Sequence, residues 1–378
     1  MVIAVNTGFH LNDGPEVSGY FIFECFSRLA KKYPQHQFIY IFDRAFDKKW
    51  ASSGNITTVI TSPVAKSSLL WQYWYNYKLP SLLQKYKATI FVSTDGICSL
   101  RTKVPQCLVL QDLAFLLSPG FISKNHLRFY KKFTGRFLAK SKAIVTVSAF
   151  SKKTIVEKYK IDAQKINVIY PGTNEMFKPI GEAAKKMAKD KYADGKEYFL
   201  FTGDLELSNN LMNLLKAFSF FKKRQKSNML LLIAATNDGK YNQFSKDLGT
   251  FKFRNEVKLL SGLSTTALIN ITGAAYAFVY PVLFTNFAQH PLEAMQCNVP
   301  VITSYCCAIP ELCAATVLYI NPEEYTDIAD KMMLVFKDEN RRNELIKAAA
   351  THVKQYHWNK TADQLWQLIC NTIEQETT

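Results

Sequence analysis

The sequence contains no CxxC pair and no apolar run long enough to cross a bilayer. The first absence removes the close paired spacing of structural zinc sites, and the second leaves peripheral contact as the only membrane association open to these residues. Eight cysteines are present, and the four that fall near one another, Cys297, Cys306, Cys307 and Cys313, read as ordinary buried thiols. The N-terminus lacks a charged region followed by a long apolar stretch, so the chain reads as a reduced, cytoplasmic protein. Acids are outnumbered: 31 Asp and Glu stand against 47 Lys and Arg, a formal net charge of +16. That excess favours an anionic contact, whether a membrane surface, a nucleic acid or a phosphorylated ligand. No nucleic-acid motif accompanies it, so nucleic acid is the least expected of the three.

A length of 378 residues exceeds what one hydrophobic core comfortably serves, and two domains are expected. Short apolar runs at 2–6, 38–42, 57–60, 89–92, 107–110 and 143–147 alternate with helical patterns near 69–86 and 127–139. Such alternation predicts a parallel sheet covered by helices. After a further strand candidate at 166–170 come Pro171 and Gly172, then a polar stretch to Lys196 that reads as the interdomain linker. A second series follows, with strand candidates at 198–201, 229–234, 257–260, 277–280 and 299–302, helices near 210–221, 265–274 and 291–296, and a mostly helical tail from Tyr325. The second half thus repeats the architecture of the first. Two doubly wound halves place a ligand cleft at the carboxyl ends of their strands.

The richest basic stretch, 126–142, alternates cations with aromatics at helical spacing. It reads as a solvated helix over a core, with a membrane-surface helix as the alternative.

Several motifs fall in order along nearly the whole chain. Val145-Thr-Val-Ser-Ala-Phe-Ser-Lys-Lys153, Ile166-Asn-Val-Ile-Tyr-Pro-Gly172 and Phe177-Lys-Pro179 precede Tyr198-Phe-Leu-Phe-Thr-Gly-Asp-Leu205 and Leu214-Leu-Lys-Ala-Phe218. Then come Tyr280-Pro281, Leu292-Glu-Ala-Met295, Val299-Pro-Val-Ile-Thr-Ser304 and Ile309-Pro-Glu311. This series resembles glycosyltransferase family 4. The resemblance implies an α/β chain of the GT-B class, with two Rossmann-like doubly wound domains facing a central cleft. It places an acceptor-side domain at 1–180, a donor-side domain at 181–358, and a C-terminal helix at 359–378 that packs back on the first domain. Members commonly transfer a sugar from a nucleotide sugar to a glycan or lipid-linked acceptor with retention, without an essential metal, so no cofactor is implied.

The same resemblance identifies the positions that would carry chemistry. Where the family has Arg-Lys-Asn at the start of the first donor-domain helix, this chain has Ser208, Asn209 and Asn210, so both diphosphate cations are missing. A bland reading has Ser208 or Asn209 simply capping the helix. The family's pair of glutamates separated by seven residues becomes Thr285 and Glu293, with Phe287 between them and Ala288 where glycine is expected. Glu293 would bind ribose, or would merely favour the first turn of a helix beginning near Pro291. The family's His-Asp becomes Gln111-Asp112, which cannot titrate near neutral pH, and Ala149 stands where glutamate often follows Val-Ser. Asp112 reads equally as an acceptor contact or a strand-end turn residue. Gly19, in the loop 13–19, and Gly203 would approach the donor, and Asp95 with Gly96 would line the acceptor side or merely turn the chain. Loss of two cations, a carboxylate and an imidazole touches separate parts of one mechanism. The expectation is a family 4-like protein with impaired catalysis, or a pseudoenzyme that binds glycan, nucleotide or a partner enzyme, cytoplasmic and peripheral at the inner membrane face.

Overall fold

A computed structural model describes residues 1–7, 17–45, 53–62, 64, 67–235 and 241–377. The chain forms two compact units, Met1–Gly172 with Tyr356–Thr378, and Thr173–Gln355.

In the first unit the order is β1 (Val2–Asn6), α1 (Val17–Lys32), β2 (Gln37–Phe42), β3 (Ile56–Ile60), α2 (Ser68–Tyr73), a π-helical turn (Trp74–Lys78), α3 (Leu79–Lys85) and β4 (Ile90–Ser93). There follow β5 (Gln106–Leu110), α4 (Ala114–Leu117), α5 (Lys124–Lys140), β6 (Ala143–Thr146), α6 (Ala149–Tyr159) and β7 (Ile166–Val168). All seven strands are parallel, in the order β3-β2-β1-β4-β5-β6-β7. Parallel neighbours need crossovers, which is why helices separate the strands and both sheet faces are covered. The two-residue period of β1 sends Ile3 and Val5 to one core and Ala4 to the other. The helical pattern near 69–86 is one continuous run in the sequence, but the structure interrupts it with the π turn. That turn buries the adjacent Trp74 and Tyr75, which an uninterrupted 3.6-residue stripe does not favour.

The second unit runs α7 (Glu182–Ala193), β8 (Tyr198–Gly203), α8 (Leu211–Gln225), β9 (Leu230–Ala235), α9 (Tyr241–Leu248), β10 (Val257–Leu260), α10 (Thr265–Gly273) and β11 (Ala277–Tyr280). It continues with α11 (Gln289–Gln296), β12 (Val301–Ser304), α12 (Ile309–Cys313), β13 (Leu318–Ile320), α13 (Tyr325–Lys337) and α14 (Glu339–His352). Six parallel strands are ordered β10-β9-β8-β11-β12-β13. The polar stretch read as a linker contains α7, a helix with only Ala188 and Ala193 buried. So little of it faces a core that no apolar period marks it.

The final helix, α15 (Trp358–Thr377), packs on α1 within the first unit. Trp358, Leu365, Trp366 and Ile369 enter the same core as Phe21, Cys25 and Phe26.

Candidate functional site

Each sheet reverses its order beside its first strand, β1 in one unit and β8 in the other, and side chains at the strands' carboxyl ends converge there. In the first unit the centre of that convergence is Asp95. Its carboxylate accepts from Asn6 Nδ2 at 2.7 Å, Tyr75 OH at 2.6 Å and Ser93 Oγ at 2.8 Å. Burial and the adjacent Asp95 charge push the Tyr75 hydroxyl well above its ordinary pKa, so it remains a donor. Gly96 follows at φ +74°, and a Cβ there would stand 2.8 Å from Leu110 Cδ1. Its glycine therefore answers a backbone requirement of this turn.

Gln111 lies beside this network, its Nε2 donating to the Thr94 carbonyl at 3.1 Å. Asp112 Oδ1 accepts from the Ala114 N–H at 2.8 Å, the strand-end turn role that the sequence allowed. Ala149 is exposed in the first turn of α6, whose cap is Ser148, with Oγ accepting from Ser151 N at 3.2 Å. Gly19 falls in the first turn of α1, and residues 8–16 of the loop before it lie outside the described residues.

In the second unit, Gly203 ends β8 at φ +147°. Ser208 and Asn209 form a short 3-10 turn, and neither caps α8. The capping position belongs to Asn210, which is left-handed at φ 58° and makes no side-chain cap bond. Its Nδ2 instead donates to the carbonyls of Pro281 at 3.0 Å and Pro322 at 2.6 Å, and Asn209 Nδ2 donates to Asp204 O at 2.6 Å. The three polar residues at the expected cation positions thus tie loops together, Ser208 through its carbonyl to Leu283 N at 2.8 Å.

Thr285 Oγ1 donates to the Phe287 carbonyl at 2.8 Å, and the Phe287 side chain is buried. Ala288, at φ −87°, is buried at the N-cap of α11, with a backbone conformation that does not demand glycine. Helix α11 begins at Gln289, two residues earlier than Pro291 suggested, which carries Glu293 beyond the first turn. The helix-terminus explanation for this acid is thereby removed. Glu293 is only 5% exposed. It accepts from Gln289 Nε2 at 2.8 Å and sits 3.4 Å from His290 Nδ1. His290 packs edge-on to Tyr280 at 5.9 Å.

Sequence reasoning missed Asn6, Tyr75, Gln289 and the place of His290. Asn6 closes an otherwise apolar strand, which marks it as a strand-end polar residue. Tyr75 reaches Asp95 only because of the π turn, and no spacing rule reveals that.

Parallel, doubly wound units with polar residues gathered at their carboxyl ends define the two-domain GT-B class. The family model for Glycosyltransferase Family 4 matches residues 25–176, and that for Glycosyl transferases group 1 matches 182–352. The chain belongs to the GT-B glycosyltransferases and is related to mannosyltransferases. It is 23% identical to the O-antigen chain mannosyltransferase B of Escherichia coli, over 67% of each chain. It is 25% identical to the O-antigen chain mannosyltransferase RfbU of Salmonella typhimurium, over 74% of this chain and 75% of that one. Among solved structures, Anabaena HepE in complex with UDP-glucose superposes with a TM-score of 0.76 at 14% identity, covering 98% of this chain and 100% of that one. WaaG, a glycosyltransferase involved in lipopolysaccharide biosynthesis, gives 0.75 at 14% identity over 96% and 98%.

Proposed function

We propose that this protein binds a nucleotide sugar, or its nucleoside diphosphate, through the Glu293 carboxylate, and that sugar transfer to a glycan or lipid-linked acceptor is impaired. One observation carries the reading. The segments that follow the strands of the second unit, 203–210, 261–264, 281–288, 305–308 and 321–324, contain Asp204, Glu206, Glu323 and Glu324 but no Lys or Arg. The remaining segment, 236–240 after β9, holds Asp238 and Lys240 in sequence and lies outside the described residues, so the count is of the other five. A departing diphosphate needs positive charge or preorganised donors where its charge develops. Losing a charged partner of a buried anion costs about 2–5 kcal/mol, enough for orders of magnitude in affinity. Carboxylates at that rim oppose a diphosphate further, while Glu293 offers an acceptor suited to ribose or sugar hydroxyls.

A second reading, a fully active transferase, is favoured by the start of α8. Its capping residue makes no side-chain cap bond, so backbone N–H groups there offer an anion site that uses no cation. The O-antigen relatives favour a polysaccharide acceptor under either reading, and a cytoplasmic position at the inner membrane face fits the basic surface.

Calorimetric titration with UDP, UDP-glucose and a wider panel of nucleoside diphosphates and nucleotide sugars, followed by product detection, separates the two. Saturable binding with little or no turnover is expected. Rapid transfer would favour the second reading, and absence of binding across the panel would remove the role of Glu293. Combining Ser208→Arg and Asn209→Lys is expected to raise diphosphate affinity by about tenfold or more. An unchanged affinity would show that the missing charges are not the limiting defect.

A further inference from the structure

The side chains that meet the buried Glu293 carboxylate both come from the first turn of α11. Gln289 stands four residues earlier, the spacing that brings side chains together on one helical face, and its Nε2 donates to one carboxylate oxygen at 2.8 Å. A carboxylate only accepts, so this contact settles which end of the Gln289 amide faces the acid. His290 Nδ1 lies 3.4 Å from the other oxygen, with its ring edge-on to Tyr280. That distance exceeds the usual N–H···O range, so Gln289 rather than His290 is the group that sets the carboxylate's orientation. An ionised carboxyl group offers about four lone-pair sites, two on each oxygen, and these neighbours leave one open on each. Two adjacent open acceptors match a pair of neighbouring hydroxyls.

We propose that Gln289 is a positioning residue, which turns the Glu293 carboxylate towards the 2′- and 3′-hydroxyls of a ribose, and that the pair thereby selects ribonucleotides over 2′-deoxyribonucleotides. The inference rests on Glu293 being the nucleotide-binding acid. With one oxygen tied to Gln289, turning the carboxylate out of its plane breaks a charge-assisted hydrogen bond, so the acid is oriented before a ligand arrives. Each oxygen then accepts one ribose hydroxyl. A 2′-deoxyribose supplies a donor to one oxygen and leaves the other short of one in a buried place. An unpaired buried group of this kind is what makes a site reject an analogue that lacks a hydroxyl. Without the Gln289 donor the carboxylate turns to suit a single hydroxyl, and the distinction between the two sugars fades.

The test titrates the full-length protein with UDP and with 2′-deoxy-UDP by calorimetry and takes the ratio of the two affinities. Wild type is expected to prefer UDP by about tenfold or more. Gln289→Met keeps the reach of the side chain and removes the donor, and the preference should shrink to about threefold or less, with most of the loss on UDP. Gln289→Lys donates to the carboxylate again and should restore the preference, a rescue that a space-filling role does not produce. A preference that survives in Gln289→Met overturns the positioning role and leaves Glu293 as the nucleotide acid. So does a Gln289→Met protein that melts earlier and loses affinity for both nucleotides equally, since that is the mark of a structural residue. A wild type that binds neither nucleotide, or binds both equally with Glu293→Gln changing nothing, removes the nucleotide role of Glu293 and this inference with it.

Discussion

A carboxylate withdrawn from water is costly unless its lone pairs find donors, and Glu293 at 5% exposure finds Gln289 and, at longer range, His290. Among the described residues no lysine or arginine pairs with the acid, which suits a group that waits for ligand hydroxyls. Glu293→Gln keeps the shape and removes the charge. Nucleotide affinity is expected to fall about tenfold or more, the size of a lost charge-assisted hydrogen bond, while the melting temperature moves little. A calorimetric affinity that stays unchanged while the protein melts earlier would make Glu293 a structural acid. Asp95 predicts the opposite balance. Three donors from β1, the π turn and β4 meet on it, so Asp95→Asn turns an NH2 group towards groups that already donate. A loss of about 1–3 kcal/mol in urea denaturation of the full chain is expected. A denaturation midpoint equal to the wild type would show that the Asp95 network adds no stability. Neither balance is legible in the sequence alone. The sequence identified Glu293 as an acid of a helix beginning near Pro291 and Asp95 as a cleft or turn residue, but their partners lie in a helix register two residues off and in a π turn 20 positions away from Asp95.

At the scale of elements, the last helix is the part of the first unit that arrives from the far end of the chain. Trp366 stacks on Tyr33 with ring centroids 4.1 Å apart, and Thr361 Oγ1 donates to the Tyr170 carbonyl at 2.7 Å. Trp366→Ala should cost about 3–5 kcal/mol, read as an earlier unfolding transition. Gly172 lies against the start of the same helix: a Cβ there would be 2.4 Å from Trp358 N and 2.7 Å from Trp358 Cγ. Both atoms belong to a buried segment that cannot yield cheaply, so Gly172→Ala is expected to destabilise by at least about 1–3 kcal/mol. An unaltered melting curve would mean that α15 shifts freely along α1. The strands were the legible elements, because a parallel strand buried on both faces is a short unbroken apolar run. Ala277–Tyr280, four buried residues, stands where its sequence places it. What escaped was either too short, as β13 with three residues, or too polar, as α7. The start of α8 was legible to within a residue, although its cap is the left-handed Asn210 rather than Ser208 or Asn209, and the start at 289 escaped because an uncapped alanine leaves no capping signature.

The charge of the whole molecule is unevenly spread. Between 67 and 142 the only acids are Asp95 and Asp112, both at strand ends. The aromatics of the basic stretch, Phe129, Phe133 and Phe137, are buried in the core, and Lys124, Arg128, Lys131, Lys132, Arg136 and Lys140 point outward from α5. The helix is thus a solvated basic face over a core. Helices α2 and α4 pack beside it and expose Leu69 at 76% and Leu117 at 41%, and Tyr77 of the π turn is 50% exposed with Arg101 over its ring. Cations with a few protruding apolar groups suit the surface of an anionic bilayer, where each Lys or Arg near the headgroups contributes about 1 kcal/mol. No helix among the described residues is long and apolar enough to cross a membrane, so binding of this kind would be peripheral. Vesicles with a large anionic fraction should sediment with the protein at low salt and release it near about 0.5 M salt, where the Debye length falls below the width of the basic face. Arg128→Glu, Lys131→Glu and Lys132→Glu together should weaken this binding by about tenfold or more without altering the melt, because all three side chains are exposed. Equal binding to neutral vesicles would assign the attachment to Leu69, Tyr77 and Leu117, and the salt response would then vanish with the role of charge.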